Sequence, residues 1–334
     1  MEVQFMKVLF IGGTGNISTI VSQMAVERGI QLTLLNRGKQ EIEMPGVQWI
    51  TADIHNPQAV ETALGSKTFD VVVNWIAFTP PHVQADLDRF LGKVGQYIFI
   101  SSASCYQKPP TDVIIRESTP LHNPYWKYSR DKIDCENLLM HAYREQGFPV
   151  TIVRPSHTYD RHIPVAIGGW DSYTLINRME RGAPVIIHGD GSSLWAVTHA
   201  EDFSRGFLGL LGHPRALGQD FHITSDERLT WNDIYSSIAA AVGVKPNIVH
   251  IATDFIIRQK PEMTGGLLGD KSWSVIFDNS KIKSYVPEYQ AVIPFHQGIH
   301  RTLDWFNAKP ERKWIDQQAE DEMEDILKAY QVLG

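Results

Sequence analysis

A glycine-rich turn set between an apolar run and an amphipathic stretch constrains this chain more than any other feature. Residues 7–11 (KVLFI) are continuously apolar after Lys7, as a strand buried on both faces of a parallel sheet must be. GGTGNIS follows at 12–18, and residues 17–28 then place Ile17, Ile20, Val21, Met24 and Ala25 at helical spacing before Gly29 closes them off. Strand, glycine turn and helix in that order make a seat for a phosphate. Gly12 permits the tight turn, Gly15 leaves room for a pyrophosphate to approach the backbone, and the free N–H groups of the helix start face the charge. Thr14, Asn16 and Ile17 complete the turn, and Ser18 stands where helix and strand pack closest. A glycine turn without a ligand is the bland alternative, and the position between strand and helix argues against it.

The alternation continues along the chain. QLTLLN (31–36), VQWI (47–50), FDVVVNWIA (69–77), QYIFISS (96–102) and PVTIVRP (149–155) read as strands, with helical stretches at 57–64, 82–93 and 126–146 between them. Strands alternating with helices predict an α/β chain on a Rossmann-type, doubly wound parallel sheet. After Pro155 the rhythm breaks into Gly-, His- and aromatic-rich loops (156–173), a short helix (172–181) and a strand-like VIIHGDG (185–191). DFHIT (220–224) is expected to return as the last strand of the sheet. The predicted division is a dinucleotide-binding domain over 1–155 plus about 195–229, a smaller discontinuous substrate-binding lobe over 156–194 and 230–310, and a polar tail at 311–334 forming a surface helix.

About 20 residues beyond the turn, at the end of the second strand, an acidic side chain would take the ribose hydroxyls of NAD. Here the strand ends in Asn36, Arg37 and Gly38. A neutral Asn beside a guanidinium removes the carboxylate that would repel a 2′-phosphate and supplies a cation to hold it, which favours NADP(H) over NAD(H). The alternative is that Arg37 is a solvated charge. Asp53, in TADIH, is placed either to meet the adenine edge or to cap the helix before Pro57.

Composition bounds the rest. At 334 residues and 43% hydrophobic content the chain can bury one large core and a smaller lobe. A net charge of −7 and a pI near 6.0 leave no electrostatic footprint for nucleic acid. Cys105 and Cys135 are too few for a disulfide framework and lack metal-site spacing, so no metal is expected and a reducing, cytoplasmic setting is. No window approaches the ~20 apolar residues of a membrane span.

Tyr128 and Lys132 lie four apart in the stretch 126–146, on one helical face. A phenol has an unperturbed pKa of about 10. A lysine ammonium beside it is expected to favour the phenolate and draw that pKa down, so that Tyr128 exchanges a proton with a substrate oxygen while hydride moves. Ser102, ending QYIFISS, would present its hydroxyl to the same oxygen. A packed Tyr with a snorkelling Lys is the commoner meaning of such a pair alone. The order of glycine turn, strand-end serine and helical Tyr–Lys pair changes that balance.

With those residues in place, the sequence resembles the extended branch of the short-chain dehydrogenase/reductase superfamily, which holds NAD(P)-dependent epimerases, dehydratases and reductases. GGTGNIS (12–18), ADIHNP (52–57), ISSASCYQ (100–107), ESTPLHNPYWKYSRDK (117–132), VRPSHTYD (153–160) and GDGSSLWAVTHAEDF (189–203) carry the resemblance. It implies catalytic roles for Ser102, Tyr128 and Lys132, with Ser104 an auxiliary hydroxyl and Tyr106 an aromatic near the substrate. It implies a cofactor lined by Ile54, Asn74, Ile76 and Ala77, with Pro155, Ser156 and His157 beside the nicotinamide, and a homodimer. Two departures limit it. Trp195 stands near where sugar-nucleotide enzymes carry a diphosphate-binding arginine after GDG, and SHTYDRH replaces their asparagine-bearing segment, leaving Arg161 and His162 as anion ligands or as solvated loop residues. Trp170, Tyr173, Trp195 and His199 suit stacking on a sugar ring or an aromatic, or simply pack a core. The expected activity is hydride transfer at a carbinol or carbonyl carbon of a small polar, sugar-like substrate, as an oxidoreductase or as an epimerase/dehydratase, with no nucleic-acid or membrane partner. A non-catalytic NADP-sensing or RNA-binding relative is the competing expectation, since the NRG segment is similar to chloroplast RNA-binding relatives.

Overall fold

The computed structural model describes residues 5–38 and 43–332. Its centre is a strand with no solvent face: in β1 (Lys7–Ile11), Val8, Leu9, Phe10 and Ile11 are all fully buried. Val8 and Phe10 join one hydrophobic cluster with Val21 and Ala25 of α1 (Ser18–Glu27), while Leu9 and Ile11 join another on the opposite side. A strand buried on both sides requires a layer on each side, which is why the apolar run is continuous.

The chain continues through β2 (Gln31–Asn36), β3 (Gln48–Thr51), α2 (Pro57–Leu64), β4 (Val71–Asn74), α3 (Pro80–Phe90), β5 (Gln96–Ile100), the two-residue β6 (Ile114–Ile115), α4 (Lys127–Gln146) and β7 (Val150–Pro155). Next come the short strands β8 (His157–Tyr159), β9 (Pro184–His188), β10 (Leu194–Trp195) and β11 (Val197–His199), with α5 (Thr174–Glu180) between the first two. Then α6 (Ala200–Leu208) leads to β12 (Gln219–Ile223). Seven of these strands form one parallel sheet in the order β12, β7, β5, β4, β1, β2, β3, so DFHIT does return to it, at the edge. The fold is α/β and Rossmann-like. The order reverses between β1 and β4, where Ile11 pairs with Asn74, and a crevice opens beyond their carboxyl ends. Two strands are shorter than their apolar runs predict. β4 ends at Asn74 because its Oδ1 accepts from the Ile76 N–H and turns the chain, and β5 ends at Ile100 before Ser102 caps a short turn over Ala103–Cys105.

A separate cluster lies away from the sheet, built on Trp195, Trp231, Tyr235, Phe295 and Phe306. Small strand pairs, β8 with β11, β9 with Asn247–Ile251 and β10 with Leu229–Thr230, tie its loops together. The tail is helical over Gln317–Gln331, but it is docked rather than superficial, which corrects the surface-helix expectation. Met323 and Ile326 are fully buried against Ile186, Ile251 and Phe255. Buried Arg178 of α5 donates to Glu320 at 2.6 Å and Glu324 at 2.7 Å, so the acidic stripe faces a guanidinium instead of water.

Candidate active site

Helix α4 carries Tyr128 and Lys132 to the crevice. Lys132 is 1% exposed, and its Nζ donates at 2.7 Å to the carbonyl oxygens of both Ala77 and Ile100. Those carbonyls follow β4 and end β5, so the ammonium is pinned across the mouth of the crevice. Phe78 and Phe99 place their rings 4.7 and 4.8 Å from it. Burial holds the Lys132 pKa down at about 8. The Tyr128 ring centroid is 5.8 Å from Nζ and is covered by Trp126 at 5.0 Å and Phe78 at 6.4 Å. The Ser102 hydroxyl, just past the end of β5, is near enough to the phenol to favour its ionised form. A row of hydroxyls leads inward from it, Ser102 to Ser104 at 2.9 Å and Ser104 to Ser129 at 2.7 Å. Phenol, ammonium and hydroxyl thus meet in one cluster.

Their electrostatics correct the sequence reading in one respect. Burial raises the Tyr128 pKa well above the usual phenol range, and only the Ser102 hydrogen bond works against it, with Cys105 and Asp270 adding to the rise. Lys132 does not draw it down because its ammonium faces two carbonyls, one turn away from the phenol oxygen. Tyr128 is therefore a protonated acid at neutral pH.

The dinucleotide turn has the shape its glycines require. Gly12 and Gly13 adopt φ of +94° and +96°, and a Cβ on Gly13 would sit 2.6 Å from Leu34 Cδ2, so Gly13 is demanded by the fold itself. Gly15 has no such conformation, and a Cβ there would meet only Ser18 Oγ, at 3.4 Å. The space above Gly15 is free for a ligand to approach the backbone, which fits a pyrophosphate at the start of α1. Thr14 and Ile17 are half-buried around it. Arg37 is exposed at the end of β2 and makes no ion pair among the described residues, while Asn36 Oδ1 accepts from Gly38 N at 2.9 Å to shape that turn. Asp53 accepts from His55 N, and the cap of α2 is Asn56, not Asp53. Ile54 and Ile76 are half-buried and Ala77 is buried near the crevice.

Two residues expected to line the cofactor are instead spent on the scaffold. Asn16 donates from Nδ2 to the Thr158 carbonyl at 2.9 Å and accepts from Arg161 N at 3.1 Å, so its side chain ties the glycine turn to β8. Asn74 is 2% exposed and bonds Asp86, which also accepts from the Tyr97 hydroxyl at 2.7 Å. Beyond Pro155, which ends β7, Ser156 and His157 are half-buried at the start of β8, and burial keeps the imidazole of His157 neutral, its pKa well below the usual value.

The substrate-side expectations need more correction. Tyr106 is fully buried, with its hydroxyl 3.0 Å from His222 Nδ1 and 3.2 Å from Arg154, in a network that Glu136 and Asp220 complete. It is a core residue, because a buried phenol needs partners and finds them there. Arg161 approaches Asp160 through Nε at 3.4 Å and lies 5.8 Å over the Trp305 ring, and its terminal guanidinium nitrogens make no hydrogen bond among the described residues. Trp195 is 3% exposed and stacks on Trp231 at 6.0 Å, with no open face for a sugar. Its indole Nε1, however, is buried with no hydrogen-bond partner among the described residues. Ser104 is 3% exposed and supports Ser102 from beneath.

A family model described as the NAD dependent epimerase/dehydratase family matches residues 8–224, spanning the glycine turn, the Ser–Tyr–Lys cluster and every strand of the sheet through β12. The chain belongs to that family. NAD(P) is the family's cofactor. Among curated relatives, it is 27% identical over 259 residues to the chloroplast stem-loop binding protein of 41 kDa b of Arabidopsis thaliana, covering 73% of this chain and 65% of that protein's length. It is 23% identical over 290 residues to the 2'-dehydrokanamycin reductase of Streptomyces kanamyceticus, covering 86% of this chain and 81% of the other. In structure it is similar to the UDP-glucose 4-epimerase of Thermotoga maritima, with a TM-score of 0.74 at 19% identity, covering 91% and 99% of the two chains. It is also similar to the epimerase Mth375 of Methanothermobacter thermautotrophicus, with a TM-score of 0.76 at 16% identity over 92% and 94%. These likenesses carry the fold.

Within this family member the structure adds residues that the sequence did not single out. Lys108, two residues beyond Tyr106, is 2% exposed. Asp270 and Lys271 pair at 3.0 Å on a short π-helical turn, Leu267–Lys271, and the Lys271 Nζ is 5.9 Å from the Trp126 ring that covers Tyr128. LLGDKSW has no periodicity or motif to mark it, so only the folded chain reveals this pair. Among the described residues no three metal-ligating side chains cluster, and no helix is long and apolar enough to cross a membrane.

Proposed function

We propose that this chain catalyses proton and hydride transfer at a carbinol or carbonyl carbon of a small polar, sugar-like substrate, with NADP(H) preferred over NAD(H). The observation that carries this reading is the Lys132 ammonium bridging the ends of β4 and β5 with Tyr128 and Ser102 beside it. Bound dinucleotide would supply the hydride donor or acceptor. The residues present suit it: the turn at Gly12, Gly13 and Gly15 and the start of α1 receive the pyrophosphate, and Arg37 receives the 2′-phosphate.

Tyr128 donates its proton to the substrate oxygen as a carbonyl is reduced, and Ser102 donates a hydrogen bond to the same oxygen. Burial keeps the phenol protonated, the form that donates when a carbonyl is reduced. Lys132 ties the ends of β4 and β5 together beside the phenol through the Ala77 and Ile100 carbonyls. A net reductase consumes cofactor stoichiometrically, whereas an epimerase or dehydratase recycles it, and nicotinamide absorbance separates the two. Tyr128→Phe keeps the ring and removes the proton. Turnover is expected to fall at least ~100-fold with cofactor binding retained, and unchanged turnover refutes the mechanism.

The 27% identity to a stem-loop binding protein supports a second reading, binding of structured RNA. Salt-sensitive binding of a labelled stem-loop by a chain inactive toward carbonyl substrates would favour it.

A further inference from the structure

Lys108 is a charged side chain enclosed by the protein with no counter-ion among the described residues. It is 2% exposed, and among the described residues its Nζ has neither a hydrogen bond nor an ion pair. Its nearest described company is the Trp195 ring, whose centroid is 6.0 Å away, and the charges of Asp270 and Lys271. Burial of an uncompensated ammonium is costly, and a fold does not retain one without a partner for it. Beside it, the Trp195 indole N–H is a second buried donor with no acceptor. A partnerless ammonium beside a ring whose buried indole N–H lacks an acceptor describes a site for an acceptor that carries negative charge.

The same place adjoins the reacting groups. Trp195, 6.0 Å from the Lys108 Nζ, stacks on Trp231 at 6.0 Å, and Trp231 donates to the carbonyl of Lys271. Rings continue the path, from Tyr128 to Trp126 at 5.0 Å and from Trp126 to Lys271 at 5.9 Å. The π-helical turn is held in position because the Lys271 carbonyl accepts from Trp231 Nε1 at 3.0 Å and lies 3.1 Å from His188 Nε2. Lys271 and Asp270 cancel, which leaves the Lys108 charge in surplus. One net positive charge matches one anionic group.

We propose that the substrate of this site carries a single carboxylate or phosphate group, received by the Lys108 ammonium with the Trp195 indole N–H as second donor. The inference rests on the proposed function only for which carbon reacts, and the anion contact is independent of turnover. It also assigns a specificity role to Trp195, through its indole N–H in place of its ring face.

The test is ligand-dependent thermal stabilisation of the NADP-saturated protein by D-glucuronate, D-glucose 6-phosphate, D-glucose and UDP-glucose, each at millimolar concentration. One of the two monoacid sugars is expected to raise Tm well beyond D-glucose, and which one does so tells carboxylate from phosphate. Lys108→Met should lose that shift, with affinity reduced at least ~10-fold, the effect of removing one charge-assisted contact of about 1.4 kcal/mol. Lys108→Arg should restore part of it. Without ligand, Lys108→Met should melt no lower than the parent protein, because it removes a buried charge. Four results overturn the proposal: no shift with either acid, equal shifts with D-glucose, tighter binding of UDP-glucose than of both acids, or a full shift retained in Lys108→Met. A large loss of Tm in unliganded Lys108→Met would instead mark Lys108 as structural and overturn it too. Tyr128→Phe should keep the acid-dependent shift, so a failed mechanism and a failed anion site give different results.

Discussion

The proposed preference for NADP(H) turns on one side chain, Arg37. It stands exposed where β2 ends, and the adjacent Asn36 carboxamide is turned onto Gly38 N, so the corner presents a cation with no ion-pair partner among the described residues. A guanidinium bound to a phosphate contributes about 1.5–3 kcal/mol as a charge-assisted contact. Arg37→Asp is accordingly expected to weaken NADPH binding by at least ~10-fold while leaving NADH unchanged or tighter. Titration of nicotinamide fluorescence checks both, and equal losses for the two cofactors would mean that Arg37 is a solvated charge. The sequence made Arg37 legible because a strand end followed by an acidic or basic residue is a local pattern. Tyr106 was not legible in the same way. Its burial with His222 and Arg154 depends on β12 arriving beside β7, more than a hundred residues later, and nothing near Tyr106 announces that.

At the scale of elements, what the sequence showed was periodicity, and what it concealed was docking. β1 reads as buried because every position after Lys7 is apolar, and α4 reads as a helix that stops at a left-handed glycine, Gly147 at φ +70°. The tail helix has the same local signal as a solvated one: its acidic residues fall at helical spacing and its apolar residues are few. Its burial comes from Arg178, fully enclosed in α5, which no local pattern in 317–331 could reveal. Arg178→Met should leave Glu320 to Arg181 alone, remove the partner of Glu324 and leave the Pro184 carbonyl without its 2.8 Å donor. Breaking a buried pair costs about 3–5 kcal/mol, and since Glu324 is 41% exposed the expected loss is the lower end of that range. Urea unfolding measures the loss, and limited proteolysis should cut first within 309–331. Unaltered stability and proteolysis would show that the helix is held by Met323 and Ile326 alone.

Across the whole molecule, histidines couple stability to acidity. His188 on β9, His199 on β11 and His222 on β12 all have pKa values lowered by burial to about 4. Each is neutral when folded and takes a proton at its ordinary pKa of about 6.5 when unfolded. Between those limits the unfolded chain binds more protons, so stability is full above about pH 6.5, falls as pH drops, and stops falling through these groups below about pH 4. Carboxyls with pKa raised by burial, Asp86, Glu117, Asp160 and Glu227, bind protons more readily when folded and oppose that slope. His222 can be separated from them. Both its ring nitrogens are engaged, Nδ1 with the Tyr106 hydroxyl and Nε2 with the Asp278 carbonyl at 2.9 Å, and because the ring is neutral its 3.8 Å approach to Glu117 is no ion pair. His222→Gln removes one titrating group from this balance. The variant is expected to be less stable at pH 7, yet its urea-derived stability should change with pH by up to about 1.4 kcal/mol per pH unit less than the parent between pH 6 and 4.5, the slope that one proton contributes. Parallel stability curves for the two proteins would mean that His222 is protonated in the fold, with Glu117 as its partner, and that the charge balance at the β7–β12 edge is the reverse of the one described.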